Sequence, residues 1–268
     1  MEKCGRFKLA LGGVVLLTII VIGAYGAYDF MEHEKCQDEK IADLQEQLAQ
    51  HRAEHGANEA DASLFAEEGY NYLAIGNSIT KHGICEYWWD EIGMAASSKR
   101  NDYVHLVAEG LGMDVNVYAL NFYIWEIQAA DRAETLTILD SYLSKNLNLV
   151  TVQLGENVTD RNTLEQDYEE LIRYIQKRCP NVQVMIIGGF WEDPETDSMK
   201  KAVAACCGID FVDISPAWSH AGYEVGLGAA VYDVDGREHI VEHEGVAMHP
   251  GDEGMRFIAE RILALVRS

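Results

Sequence analysis

The sequence predicts an α/β domain: a parallel sheet with helices on both faces. From Tyr70 to the carboxyl end, short apolar runs alternate with stretches of helical period. A further observation agrees with this. Ser78, Asn157 and His249 each follow an apolar run or precede a helix, at junctions where open α/β sheets place their ligands.

The first strand is read from Tyr70-Asn71-Tyr72-Leu73 into Ala74-Ile75, and it hands over at Gly76-Asn77-Ser78 to a turn. Further strands are expected over 114–120, 147–154 and 182–187, with a short fifth over 209–214. Helices fit between them at 103–111, 129–143, 164–178 and 198–206. A last helix is expected over 252–266, where Met255, Ile258, Ile262 and Leu265 fall on one face.

The amino terminus reads differently. Lys3, Arg6 and Lys8 form a basic segment (1–8) before an uncharged apolar run over 9–28. At about 1.5 Å per residue that run reaches across a hydrocarbon core of roughly 30 Å. Basic residues on its amino-terminal side orient the rest of the chain outward. An uncleaved transmembrane signal-anchor is expected, with cleavage near Ala24, Gly26 and Ala27 as the rival reading. Residues 29–66 are acidic, and Ile41, Leu44 and Leu48 give at most two heptads, so a helical or partly disordered stalk is expected. The catalytic domain then occupies 67–268, on the extracytoplasmic side.

A net charge of −23 excludes nucleic acid as a partner, because phosphate backbones are held by basic patches. The six cysteines lack zinc-site spacing. Free thiols are expected, with a disulfide among Cys85, Cys179, Cys206 and Cys207 left open. No phosphate loop, dinucleotide fingerprint or metal-ligand spacing is present, so neither cofactor nor metal is expected. The sequence leaves the oligomeric state undetermined.

Ser78, Asn157 and His249 supply a nucleophile, an oxyanion donor and a base. A serine hydroxyl is a poor nucleophile at neutral pH unless an imidazole takes its proton and later returns it to the leaving alcohol. Taken singly, Ser78 would read as a helix cap, Asn157 as a turn residue and His249 as a surface histidine. Taken together, the three point to a serine hydrolase.

Gly76-Asn77-Ser78-Ile79-Thr80 resembles the first block of the SGNH (GDSL-like) hydrolases, in its Gly-Asn-Ser variant. Gly155-Glu156-Asn157 resembles that family's Gly-x-Asn block, and His249-Pro250 its closing His-Pro block. The order and the wide gap between Ser and His also match, and the resemblance covers about residue 70 to the carboxyl end. It implies a flavodoxin-like, five-stranded α/β/α sandwich and an esterase acting on acylated small molecules or glycans. Ser78 would be the nucleophile, His249 the base, and Asn157 with the Ser78 N–H the oxyanion donors. Removal of a small acyl group, acetyl above all, from a carbohydrate through an acyl-serine is the leading expectation. An acyltransferase on the same residues and a catalytically weak glycan-binding module are the alternatives.

Two departures from the family pattern leave roles open. The position three before His249, where an Asp would orient the imidazole, is Val246. Glu244 is the favoured replacement, with Asp252 or a backbone carbonyl as the other choices. The block that supplies an oxyanion-hole glycine is Asn121-Phe122-Tyr123-Ile124-Trp125-Glu126, without glycine. Either a backbone N–H of Glu126 or Trp125 donates instead, or the bulky side chains shape an acyl pocket that admits only a small group. Asn77, His82, Trp88, Trp125 and Trp191 are candidates for substrate contact. A structural hydrogen bond for His82 and a core role for the tryptophans are the competing readings.

Overall fold

The computed structural model describes residues 64–65, 68–112 and 114–266. The expected anchor and most of the stalk lie outside them. Among the described residues, no helix is long and apolar enough to cross a membrane.

Five parallel strands form the main sheet: β1 Tyr70–Gly76, β2 Val115–Asn121, β3 Leu149–Gln153, β4 Gln183–Ile187 and β5 Asp210–Val212. Their order, β2-β1-β3-β4-β5, is that of a flavodoxin-like doubly wound sheet. Strands β1 and β3 are buried almost throughout, which is why they read as continuous apolar runs rather than alternating ones. Register carries the functional consequence. Gly76 pairs with Asn121 on one side and with Gln153 on the other, so three strands end level and their loops emerge together.

Helix α1 (Tyr103–Gly110) begins where the Asp102 carboxylate accepts from the His105 N–H at 2.8 Å. After β2 come the short α2 (Tyr123–Ile127) and α3 (Arg132–Thr135), then α4 (Leu164–Arg178) and α5 (Pro194–Cys207). The chain closes with α6 (Glu244–Ala247) and α7 (Asp252–Leu263). Helix α1 packs on α7, and α4 on α5. Tyr72 and Ala74 of β1 share one core with Tyr103 and Val107 of α1 and with Met255, Ile258 and Ile262 of α7.

Three differences from the sequence reading have physical causes. The helix expected over 129–143 is broken into a 3-10 turn, α3 and a second 3-10 segment (Leu136–Ser141). There the Thr135 hydroxyl donates to the Arg132 carbonyl at 2.7 Å and that of Thr137 to Glu134 at 2.9 Å, bonds that compete with the helical ladder. Helix α5 starts at Pro194 rather than Ser198, because Asp193 caps it and proline fits the first turn. A small antiparallel pair, β6 (Ala230–Tyr232) and β7 (Glu238–Ile240), occupies a stretch whose three-residue strands are too short to show periodicity. Cys85, Cys179, Cys206 and Cys207 are free thiols, so no disulfide joins them.

Candidate active site

The turn after β1 is built tightly. A Cβ on Gly76 would overlap the Thr80 hydroxyl and the Gln153 carbonyl, so only glycine lets the chain leave the sheet here. The Asn77 N–H donates to the Gln153 carbonyl at 3.2 Å, and the Asn77 carbonyl accepts from Thr80 and Lys81 at 3.0 Å. The Ser78 carbonyl accepts from the Met94 N–H at 2.8 Å, so the following loop clamps the serine backbone. Ser78 is left half-buried, with its side chain facing the far end of the sequence.

There Ser78 Oγ stands 2.8 Å from His249 Nε2. On the other side of the ring, Nδ1 lies 2.7 Å from the Gly245 carbonyl. A carbonyl only accepts, so Nδ1 carries the proton, Nε2 is the acceptor and the Ser78 O–H donates to it. This is the arrangement a general base needs.

The orienting group is therefore a backbone carbonyl four residues back, presented by the turn of α6. This corrects the expectation for Glu244. Its side chain is exposed at the start of α6 and does not hold the Nδ1 proton. Asp252 is engaged elsewhere: it accepts from the Ser97 N–H at 2.8 Å, the Ser97 hydroxyl at 2.7 Å and the Asn101 amide at 2.9 Å. It ties the loop before α1 to α7.

The oxyanion side also differs from expectation. Among the described residues, nothing takes the Ser78 N–H, which suits a donor awaiting an oxyanion. Glu126 contributes its carboxylate rather than a backbone donor. Fully buried in α2, it accepts from the Asn157 side-chain amide at 2.7 Å, from the Asn157 N–H at 3.3 Å and from the Gly155 N–H. Asn77 donates to it at 3.3 Å and to Glu156 at 2.9 Å. One Asn157 amide hydrogen is thus fixed on Glu126, which leaves the second to donate elsewhere. Burial first, then repulsion from Glu156, pushes the Glu126 carboxyl up to about 7, against the pull of these hydrogen bonds.

A buried arginine holds this assembly. The Arg132 guanidinium donates to the Trp125 carbonyl at 3.1 Å, the Glu126 carbonyl at 3.2 Å, the Asp160 carbonyl at 3.0 Å and the Asp167 carboxylate at 2.8 Å. It links α2 to α4.

Of the expected substrate contacts, only Trp191 stands at the reacting pair. Its ring meets the His249 imidazole edge-on, with centroids 5.1 Å apart, and its Nε1–H donates to the Met248 carbonyl at 3.2 Å. The other four are corrected by burial. Asn77, His82 and Trp125 have no exposed surface and Trp88 has 1%. His82 Nδ1 bonds the Gly83 carbonyl at 2.7 Å, and Trp125 packs edge-on against Tyr168. Trp89, the neighbour of Trp88 in the run after the nucleophile, is half-buried and stacked on His239 at 4.4 Å, and sequence reasoning did not single out the half-buried Trp218, which donates to the Gly189 carbonyl at 2.9 Å. No periodic signal marks Trp218. Among the described residues, no group of His, Cys, Asp or Glu side chains is placed to hold a metal ion.

No protein-family model and no curated protein matches this sequence. Several solved structures are similar to it. A family two carbohydrate esterase from Clostridium thermocellum in complex with cellohexaose is 18% identical, with a TM-score of 0.47. That match covers 73% of this chain, which spans 62% of the length of that one. The native aryl esterase of M. smegmatis is also 18% identical, with a TM-score of 0.45 over 74% of this chain and 99% of that one. Phospholipase A1 from Streptomyces albidoflavus is 13% identical, with a TM-score of 0.44 over 74% and 99% of the two chains.

The chain resembles the SGNH hydrolases in its three sequence blocks and its sheet order. The structure adds that all three blocks meet at the carboxyl ends of β1 and β3.

Proposed function

We propose that this protein is an SGNH-type serine esterase. The observation that carries the reading is the hydrogen-bonded chain Ser78 Oγ, His249 Nε2, His249 Nδ1, Gly245 carbonyl, with contacts of 2.8 and 2.7 Å. Ser78 Oγ attacks the ester carbonyl while His249 takes its proton. The developing oxyanion is met by the Ser78 N–H and the Asn157 amide. Collapse expels the alcohol, which leaves with the proton from His249, and the acyl group stays on Ser78. A water molecule, deprotonated by the same imidazole, then releases the acid and restores the serine.

The finer reading is removal of a small acyl group, acetyl above all, from a carbohydrate. The resemblance supports it through family members that act on acylated sugars, and Trp191 supports it as an aromatic wall beside the base. Outward placement on a membrane through residues 9–28 belongs to the same proposal. Protease treatment of intact cells tests it, since a domain protected until lysis would rule that placement out.

The experiment for the activity compares the full chain with its Ser78→Ala and His249→Ala variants on p-nitrophenyl acetate and butyrate. Both variants are expected to lose turnover, and the wild type is expected to prefer acetate. Turnover unchanged in Ser78→Ala would remove the serine from the mechanism.

A further inference from the structure

A cavity of about 280 Å³ opens beside His249, and the ester chemistry does not use it. Trp191, Trp218, Glu192 and Glu224 are among its walls. It is tied to His249 from two sides. The Trp191 ring meets the imidazole edge-on, with centroids 5.1 Å apart. On the other side Glu224 bridges to Pro250, and the Val225 N–H donates to the His249 carbonyl at 2.9 Å. A group seated here lies one indole ring away from the base.

These walls are open to a ligand. Trp191 and Trp218 are half-buried, and Glu192, Ser219, His220 and Glu224 are exposed. Both indole N–H groups are already engaged: that of Trp191 donates to the Met248 carbonyl at 3.2 Å, and that of Trp218 to the Gly189 carbonyl at 2.9 Å. The tryptophans thus offer the cavity carbon surface rather than donors. Those bonds, and Phe190 packed edge-on against Trp191 at 5.6 Å, hold the rings in place before a ligand arrives. The volume falls just below the roughly 300–1,000 Å³ of sites for drug-sized ligands, so it takes one group of a substrate rather than the whole.

Charge decides the chemistry of that group. Two carboxylates line the cavity and no Lys or Arg does, on a chain whose net charge is −23. That balance repels an anion. A hydrated metal ion would gain from the carboxylates and nothing from the rings. An acyl chain would gain from the rings and nothing from the carboxylates. A neutral sugar needs donors as well as acceptors, and beyond the engaged indoles the wall's side-chain donors are Ser219 and His220. An organic ammonium group gains from every part. Its charge faces Glu192 and Glu224, and its alkyl surface meets indole rings that attract a cation through their quadrupole.

We infer that this cavity is a subsite for an organic ammonium group of the ester substrate, held by Trp191 and Trp218 through cation–π contact and by Glu192 and Glu224 through charge. The subsite deepens the esterase reading and rests on it. An amino sugar and an ester of a quaternary amino alcohol both carry such a group, and the ammonium is what they share.

The test uses the full chain in an uncharged detergent. Turnover of acetylthiocholine is compared with that of the isosteric thioacetate in which tert-butyl replaces trimethylammonium. Saturation-transfer NMR follows binding of tetramethylammonium, methyl glucosaminide and methyl glucoside. The cationic ester is expected to have a kcat/KM about tenfold above its isostere, and Glu192→Gln/Glu224→Gln to cut that preference about fivefold or more. Both substitutions are at exposed positions, so the variant folds. Saturable binding of a cation, weakened in the same variant, is expected as well. Glucosaminide bound in preference to glucoside would name an amino sugar as the source, and tetramethylammonium bound alone a quaternary amine. Equal kcat/KM for the two thioacetates, a preference unchanged in the variant, or glucoside bound as tightly as the cations would overturn the subsite. No turnover of these esters or of p-nitrophenyl acetate, with cation binding present and lost in the variant, would support the subsite and defeat the esterase reading. Turnover of p-nitrophenyl acetate with no cation bound would overturn the subsite and leave the esterase reading standing.

Discussion

Asn157 and Glu126 are joined side chain to side chain: the Asn157 amide donates to Glu126 Oε2 at 2.7 Å, and the same carboxylate also takes the backbone N–H groups of Asn157 and Gly155. A carboxylate carried by α2 thereby fixes the loop after β3 and with it the Asn157 side chain, the proposed oxyanion donor. The donor is held in place before substrate arrives, which is where electrostatic stabilisation of a transition state gains its advantage.

Asn157→Ala should therefore lower kcat about 10²–10³-fold, equivalent to roughly 2.7–4 kcal/mol, with KM little changed. Steady-state kinetics on p-nitrophenyl acetate measure this. A rise in KM with kcat intact would assign Asn157 to ground-state binding instead.

The raised Glu126 carboxyl makes a prediction about stability. Its ordinary value is 4.5, and in the folded protein it is about 7, so the folded state holds a proton that the unfolded chain has already released. The contribution is fully present below about pH 4.5 and is lost as pH rises through 7. Glu126→Gln removes that slope. Thermal unfolding between pH 5 and 8 should show the Tm of the variant gaining on that of wild type as pH rises. A constant gap would contradict the linkage.

With the Gly245 carbonyl at His249 Nδ1, Glu244→Gln should change kcat/KM by less than about twofold, whereas loss of a carboxylate that orients the histidine costs several decades. Asp252→Ala should instead reduce stability. Hydrogen bonds to a charged group contribute about 1.5–3 kcal/mol each, and Asp252 accepts three. Paired kinetics and urea unfolding on the two variants separate the roles.

Arg132→Met leaves the Trp125, Glu126 and Asp160 carbonyls and the Asp167 carboxylate without their shared donor. Breaking a buried ion pair by removing one partner typically costs about 3–5 kcal/mol. Urea unfolding of the variant should show a loss of that order. A loss below about 1 kcal/mol would show that water replaces the guanidinium.

Ser78, Asn157 and His249 were legible in the sequence because each follows or precedes an element with a strong hydrophobic signal, and a parallel sheet gathers strand ends at one edge. The orienting group of His249 was not legible. Every residue has a backbone carbonyl, so nothing in the sequence distinguishes Gly245 until the turn of α6 points it at Nδ1. Glu126 was singled out for its backbone and acts through its side chain, because the path of the chain after β2 decides which of the two reaches Asn157. The aromatic residues misled for a related reason. Trp88, Trp125 and Trp191 look alike in sequence, yet the first two fill the core and only the third lies beside His249. The helix expected over 129–143 failed where Arg132 and the two threonine hydroxyls draw the backbone out of its ladder.

The most direct test of the central claim is the mapping of a covalent adduct. The full chain is treated with an alkyl fluorophosphonate, digested and analysed by mass spectrometry. The account predicts one stoichiometric adduct, on Ser78, whose formation slows at least a hundredfold in His249→Ala and is unaffected in Glu244→Gln. An adduct on another residue, or labelling of Ser78 at the same rate without His249, would contradict it.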